Sequence, residues 1–268
     1  MDKLTTLTLE FEPPDSFDVT PAKAFSLGPF LQGCLMEHVD SSYAESVHGL
    51  PFNPYSQHCV LDEQSGKVLW RIKALNDDAA RAVIEPLRSI DSVNLRGIGK
   101  TFQVSKATIE SISLASLIDL LSGESANKQT VRFVTPTAFK RKGSYEFMPT
   151  PRLMLQNLFM HYSQVYGGSH EIDEDVLSYV EQHVRISSYN LRSQYFSHAM
   201  GEGRKIPAFV GTLTLGMTGP DPLKNLVRML CAFGEYAGVG IKTSMGMGAL
   251  KCLKAGKPRQ SRESEAVS

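Results

Sequence analysis

Four glycines fall within eleven residues of the run Ala237-Gly238-Val239-Gly240-Ile241-Lys242-Thr243-Ser244-Met245-Gly246-Met247-Gly248-Ala249-Leu250, in which two Gly-x-Gly pairs bracket Lys242-Thr243-Ser244. Glycine at that density marks a loop that needs positive φ or the close approach of another molecule. Its amides and the Lys242 ammonium are groups that meet phosphates, and a turn kept only for backbone geometry is the competing reading. Spacing excludes two familiar nucleotide loops. A dinucleotide fingerprint needs a third glycine where Thr243 stands, and a strand before and a helix after it. Here helical apolar spacing (Leu223, Leu226, Val227, Leu230, Phe233) comes first and a short strand at 249–253 follows. A Walker loop needs glycine immediately before its lysine, and Ile241 precedes Lys242. A second run with chemical content is Lys140-Arg141-Lys142 before Gly143: three adjacent cations that suit a phosphate backbone, or a plain solvated basic loop.

The rest of the chain must position these runs. Its 268 residues suit two domains, and 42% hydrophobic residues supply a real core. With 28 basic and 28 acidic residues the formal charge is zero, so any polyanion site is a local patch. Cys34, Cys59, Cys231 and Cys252 are scattered without a C-x-x-C pair, which points to neither a zinc site nor a disulfide framework. The N-terminus lacks an apolar signal core, and no apolar run is long enough for a membrane span. The expectation is a cytoplasmic protein with no metal, no cofactor and no membrane partner.

Leu7, Leu9 and Phe11 alternate as a strand, and residues 22–36 carry a helical pattern that Gly28-Pro29 kinks or restarts. A hairpin is predicted over 57–75, a helix over 77–90 and strand structure over 93–113. After the polar linker 122–127 the same order recurs, with strand 130–139, helix 151–165, strands near 185–197 and 206–216, helix 221–236 and the final strand. Each half reads β-α-β-β-α-β. The predicted fold is therefore α+β, with two tandem ferredoxin-like domains over 1–121 and 128–255 and a disordered tail over 256–268. Neither half carries the aromatic signature by which RNA-recognition modules stack bases on the sheet. Trp70 alternates into the core.

The glycine loop resembles the one near the C-terminus of the CRISPR repeat-processing endoribonucleases of the repeat-associated (RAMP) superfamily. Phe133-Val134-Thr135-Pro136-Thr137-Ala138-Phe139 is similar to the segment that opens their C-terminal domain, and Met148-Pro149-Thr150-Pro151 and Ile206-Pro207-Ala208-Phe209-Val210-Gly211 also look like family counterparts. In the first half, Tyr43, His48 and Asn53-Pro54-Tyr55-Ser56 match the layout of a tyrosine, a histidine and Lys-Pro-Phe-Thr in that family, with Asn53 where the lysine stands.

The resemblance implies a metal-independent endoribonuclease that cuts CRISPR repeat RNA by attack of its own 2′-hydroxyl and matures guide RNAs. One group takes the 2′-hydroxyl proton, another protonates the 5′-oxygen, and donors hold the charged phosphorane. A histidine, with an unperturbed pKa of about 6.5, performs either transfer at neutral pH. Among seven histidines, His48 is the first candidate, expected in a loop, and His38 the second; His161 and His183 fall in helices and read as structural. Tyr43 and Asn53 are candidate supports, and Lys67 and Lys73 candidate replacements for the missing lysine. The candidate RNA-binding residues are Lys140, Arg141, Lys142, Gly238, Gly240, Lys242, Thr243, Ser244, Gly246 and Gly248. Arg185, Arg192, Arg204, Lys205, Tyr189 and Tyr195 form a weaker set. Implied partners are the repeat RNA, subunits of an interference complex and a second copy in a homodimer. The alternative function is a subunit that binds the RNA without cutting it.

Overall fold

The computed structural model describes residues 2–169, 171–172, 174–197 and 205–253. His170, His198, Arg204 and the tail 256–268 lie outside the described residues. β1 (Lys3–Glu12) buries Leu7, Leu9 and Phe11 completely, as its alternation requires. The chain restarts at Gly28-Pro29, giving α1 (Pro21–Ser26) and α2 (Gly28–His38), with proline in the first turn, where its missing N–H leaves no bond unmade. Next comes α3 (Ser41–His48), capped by Asp40, whose carboxylate accepts the Ser42 amide at 2.9 Å. That helix corrects the expected loop: His48 is its last residue. The hairpin follows as β2 (Tyr55–Leu61) and β3 (Val68–Ala74). The predicted 77–90 helix is shorter, with α4 (Asp77–Ala79) continued by a π turn over Ala80–Ile84 and a 3₁₀ turn over Glu85–Leu87. β4 (Ser92–Leu95) and β5 (Lys100–Ser113) complete a sheet of order β2-β3-β1-β5-β4, entirely antiparallel.

After α5 (Leu114–Ile118) the second half runs β6 (Lys128–Thr137), β7 (Phe139–Arg141), β8 (Ser144–Glu146), α6 (Pro151–Tyr166), α7 (Glu174–His183), β9 (Val184–Ser197), β10 (Lys205–Met217), α8 (Asp221–Ala237) and β11 (Leu250–Leu253). Its sheet order is β11-β6-β10-β9. In both sheets the first strand lies between the third and the last, with the second outside the third, which is the ferredoxin-like arrangement. The β7–β8 hairpin and α7 are additions to the predicted order. Pro136 sits in interior strand β6 without breaking it, because the β6–β10 register shifts there: Gly211 faces Phe133 while Phe209 faces Thr137.

One core packs under the first sheet around Trp70, Phe102, Leu7 and Leu9. The other packs α6 and α8 on the second sheet and takes in Leu4 and Leu75 from the first half. Polar ties cross between the halves at the same place. Ser56 Oγ and Lys73 Nζ donate to the Tyr236 and Glu235 carbonyls, and Tyr166 OH donates to the Leu75 carbonyl. No described helix is long and apolar enough to cross a membrane.

Candidate nucleic-acid interface

The two most distinctive sequence stretches hold each other. The register shift at Pro136 frees carbonyls that accept amides from the glycine loop: Gly248 N–H to Pro136 O at 3.0 Å and Ile241 N–H to Ala138 O at 2.9 Å. Thr135 Oγ1 accepts the Ala249 amide at 3.0 Å, and Asn157 Oδ1 on α6 accepts that of Gly240 at 2.7 Å. Glycine is required where this contact is tightest. A Cβ at Gly240 would lie 2.3 Å from the Ala138 carbonyl, and one at Gly248 2.0 Å from that of Val239, both at positive φ. On its other side the loop meets the first half: Gln57 Nε2 donates to the Gly28 and Ser244 carbonyls at 2.8 and 2.9 Å, while Gln57 Oε1 accepts from Trp70.

The loop therefore divides into two kinds of residue. Gly238, Gly240, Gly246 and Gly248 are buried, and the amides of Gly238, Gly240 and Gly248 are bound internally, to the Gly234 carbonyl, Asn157 Oδ1 and the Pro136 carbonyl. Lys242, Thr243 and Ser244 are half-exposed, and their amides have no acceptor among the described residues.

Those three residues line an open cleft of about 940 Å³ together with Gly240, Asn53 and the basic run Lys140-Arg141-Lys142. Three stretches separated by about a hundred residues each thus share one surface. The basic run is the tip of the β7–β8 hairpin, where Lys142 (φ 48) and Gly143 (φ 85) form the two-residue turn such a hairpin needs. Lys142 and Lys242 (φ 56) are the two non-glycine residues with positive φ among those described, and both face the cleft. Arg152 adds a fifth cation, opposed by two carboxylates of α7. Its guanidinium binds Glu174 at 2.6 Å and Glu181 at 2.9 Å, and these bonds, Glu174's first, hold it charged. Arg152 offsets one of the two carboxylate charges, and Lys140, Arg141, Lys142 and Lys242 keep the cleft positive in a chain of zero formal charge. Sequence reasoning missed Arg152 and the exposed Tyr145, Phe147 and Met148 that follow the basic tip. The aromatic residues interleaved with the cations were the available signal.

The proposed replacements for the absent lysine are occupied elsewhere. Lys67 pairs with Glu12 at 3.1 Å. Lys73 donates to Glu235 O, and burial, then Arg71, pushes its pKa down to about 8. The cations on the same surface as Asn53 come from the second half.

The histidines separate by environment. His58 is buried in β2, its pKa held well below normal by burial and then by Lys73 and Arg71. His161 is buried on α6, stacked on Phe52 at 5.0 Å, and donates from Nε2 to the Asn53 carbonyl at 2.8 Å, which fixes the loop that carries Asn53. His183 packs against the Tyr179 ring. His38 and His48 are exposed. His38 gives its Nδ1 hydrogen to Cys34 O at 2.8 Å, so the neutral ring keeps a free Nε2 lone pair. His48 stands at the C-terminal end of α3, three residues before Pro51 at the cleft edge.

Tyr43 lies on α3, packed against the first core. Its hydroxyl is buried with no hydrogen-bond partner among the described residues, and burial, its largest influence, pushes its pKa up. A phenol in that position packs α3 onto the core. Tyr43→Phe is expected to leave cleavage unchanged and to stabilise the fold by up to about 1 kcal/mol, since an unpaired buried hydroxyl is removed. Thermal melts and cleavage rates check this; a large loss of rate would mean the hydroxyl turns toward the substrate.

Comparison with known proteins identifies the family of the chain. The family model for CRISPR-associated endoribonuclease Cas6 matches residues 131–250, which begin at the strand carrying Pro136 and end just past the glycine loop. The chain is 35% identical over 249 residues to a CRISPR-associated endoribonuclease Cas6 of Mycobacterium tuberculosis, covering 92% of this chain and 76% of the relative. It is 36% identical over 220 residues to one of Streptococcus thermophilus, covering 82% and 88%. Among solved structures, a Cas6 product complex shares the fold at TM-score 0.72 and 24% identity, over 94% of this chain and 100% of that one. Thermus thermophilus Cas6 does so at TM-score 0.69 and 21% identity, over 94% and 99%. With identity above a third over most of two relatives, and with both ferredoxin-like sheets in place, this chain belongs to the CRISPR-associated Cas6 endoribonuclease family.

Proposed function

We propose that the chain cuts CRISPR repeat RNA by internal transesterification without a metal ion. The observation that carries the binding part is the cleft, where two lysines in left-handed conformations, the Lys140-Arg141-Lys142 tip and the open amides of 242–244 converge beside Asn53. The left-handed backbone of Lys142 belongs to its hairpin turn, whereas that of Lys242 is held at the cleft against about 1–3 kcal/mol, which supports a functional role for the loop. The phosphates lie along the basic tip and Lys242, with Tyr145 and Phe147 available for base stacking. The 2′-hydroxyl attacks the adjacent phosphorus, its proton passes to a base, and the 5′-oxygen departs with a proton from an acid. The products are a 2′,3′-cyclic phosphate and a 5′-hydroxyl. His48 makes one of the two transfers, Asn53 holds a phosphate oxygen through its amide, and Tyr43 positions α3. The mature guide then passes to an interference complex.

The test is incubation in EDTA with repeat RNA and with a copy carrying one 2′-deoxy nucleotide at the cut site. The expected result is cutting of the first and intact second. Tight binding without cutting of either would instead support an RNA-holding subunit, the reading that the asparagine at position 53 favours.

A further inference from the structure

Gln57 follows Asn53 by four residues, on β2, and is only 1% exposed, a place where an amide must have its donors and its acceptor met. Its orientation is set by a neighbour. The Trp70 indole can only donate, so Gln57 Oε1 faces Nε1 at 3.0 Å and both Nε2 hydrogens are left for carbonyls. One of these carbonyls is that of Gly28, at the start of α2, and the other is that of Ser244, in the glycine loop. Among the described residues, the bond to Ser244 is the one side-chain hydrogen bond from the first half to residues 238–248.

That bond falls on the peptide unit that shapes the turn. The Ser244 carbonyl and the Met245 N–H share one plane, in which Gln57 holds the carbonyl and the Lys242 carbonyl accepts the N–H at 2.9 Å. Lys242 O also accepts the Met247 amide at 3.2 Å. The turn Thr243–Met245 is thus pinned on both sides, and it carries the residues 242–244 that line the cleft with their amides open. Gly28 keeps the two halves in contact here, since a side-chain carbon on it would collide with the Met245 carbonyl. The start of α2, β2 and the glycine loop form one joint with Gln57 at its centre. The same strand leads back through Tyr55 to Asn53, so the joint also sets the turn against the segment that bears Asn53 and His48.

We infer that Gln57 is a positioning residue for RNA binding, whose bonds to Gly28 and Ser244 hold the 242–244 turn in its phosphate-receiving shape before RNA arrives. It lies outside the cleft and acts through Ser244. The inference rests on the reading of the cleft as an RNA site and adds the residue that prepares it. Without the tether the turn must be ordered on binding. That cost appears in affinity rather than in the cleavage step, because the turn holds the phosphate alike in the bound RNA and in the transition state.

Gln57→Met keeps the length of the side chain and removes its donors. With repeat RNA it is expected to raise Kd about tenfold, while the single-turnover cleavage rate at saturating protein stays within about twofold of wild type. Its slope of log affinity against log salt is expected to equal that of wild type, because the tether carries no charge, whereas Lys242→Ala lowers the slope by about one. Val93→Ala thins the same core from β4, and is expected to lower the melting temperature and leave RNA affinity unchanged. If Gln57→Met is unfolded by the Trp70 N–H left without its acceptor, Gln57→Met/Trp70→Phe removes that group as well, and the same loss of affinity is expected. Wild-type affinity in the folded Gln57 variant overturns the inference, as does a loss that Val93→Ala reproduces or one accompanied by a changed salt slope. A wild type that does not bind the RNA overturns the reading of the cleft itself, and this inference with it.

Discussion

His48→Ala is expected to lower the rate of repeat-RNA cleavage by about 10²–10⁴-fold, the range a single proton-transfer group contributes, while RNA affinity stays nearly the same. The two readouts separate because the groups are separate. Affinity for a polyanion comes mostly from cations, and those of the cleft lie on the β7–β8 tip, α6 and the glycine loop. His48 is exposed at the end of α3 and has no part in either core, so removing its ring leaves folding within about 0.5 kcal/mol. Single-turnover cleavage and filter binding on the same preparation give both numbers. A variant that cuts at the wild-type rate removes His48 from the reaction and moves the proton transfer to His38, the other exposed histidine among the described residues, whose Nε2 is free. Loss of cutting together with loss of binding would instead mean that α3 carries part of the RNA surface.

The parts of this protein written in local periodicity were legible from sequence. Leu7, Leu9 and Phe11 alternate and are buried, Trp70 is core, and the helical spacing of Leu223, Val227 and Leu230 is the buried stripe of α8. The order of elements led to two ferredoxin-like sheets because each strand had a distinct pattern. What a single sequence does not encode locally is which surfaces meet. Asn53, Lys140–Lys142 and Lys242 were singled out one by one, but their shared cleft depends on His161 and Gln57 bridging the halves. The glycines show the same limit from the other side. Their density signalled close approach, and the close neighbour of Gly240 and Gly248 is the chain's own backbone. Tyr43 fits the family layout by position, whereas the burial of its hydroxyl is decided by how α3 lies on the core.

Acid is expected to weaken the fold through His161, and His161→Gln to flatten that dependence. Burial pushes the His161 pKa from 6.5 down to about 4, against a smaller opposing influence from its bond to the Asn53 carbonyl. Between those two values the unfolded chain takes up a proton that the folded chain refuses, so stability is full above about pH 6.5 and falls as pH is lowered, by about 3 kcal/mol at pH 4. The ring cannot simply accept the charge, because it lies against Phe52 and Phe233, with no carboxylate among the described residues to pair it. Glutamine keeps a side-chain N–H for the Asn53 carbonyl but binds no proton in this range. Its baseline stability is lower, since the ring contacts are lost. Its slope against pH is shallower, with the residue set by buried His58, whose depressed pKa acts in the same sense. Urea unfolding at intervals from pH 7 to pH 4 measures both curves. Parallel curves would show that His161 does not carry the acid sensitivity. A wild type that loosens with acid more steeply than the variant would place the proton at His161, in the contact joining α6 to the loop beside the cleft.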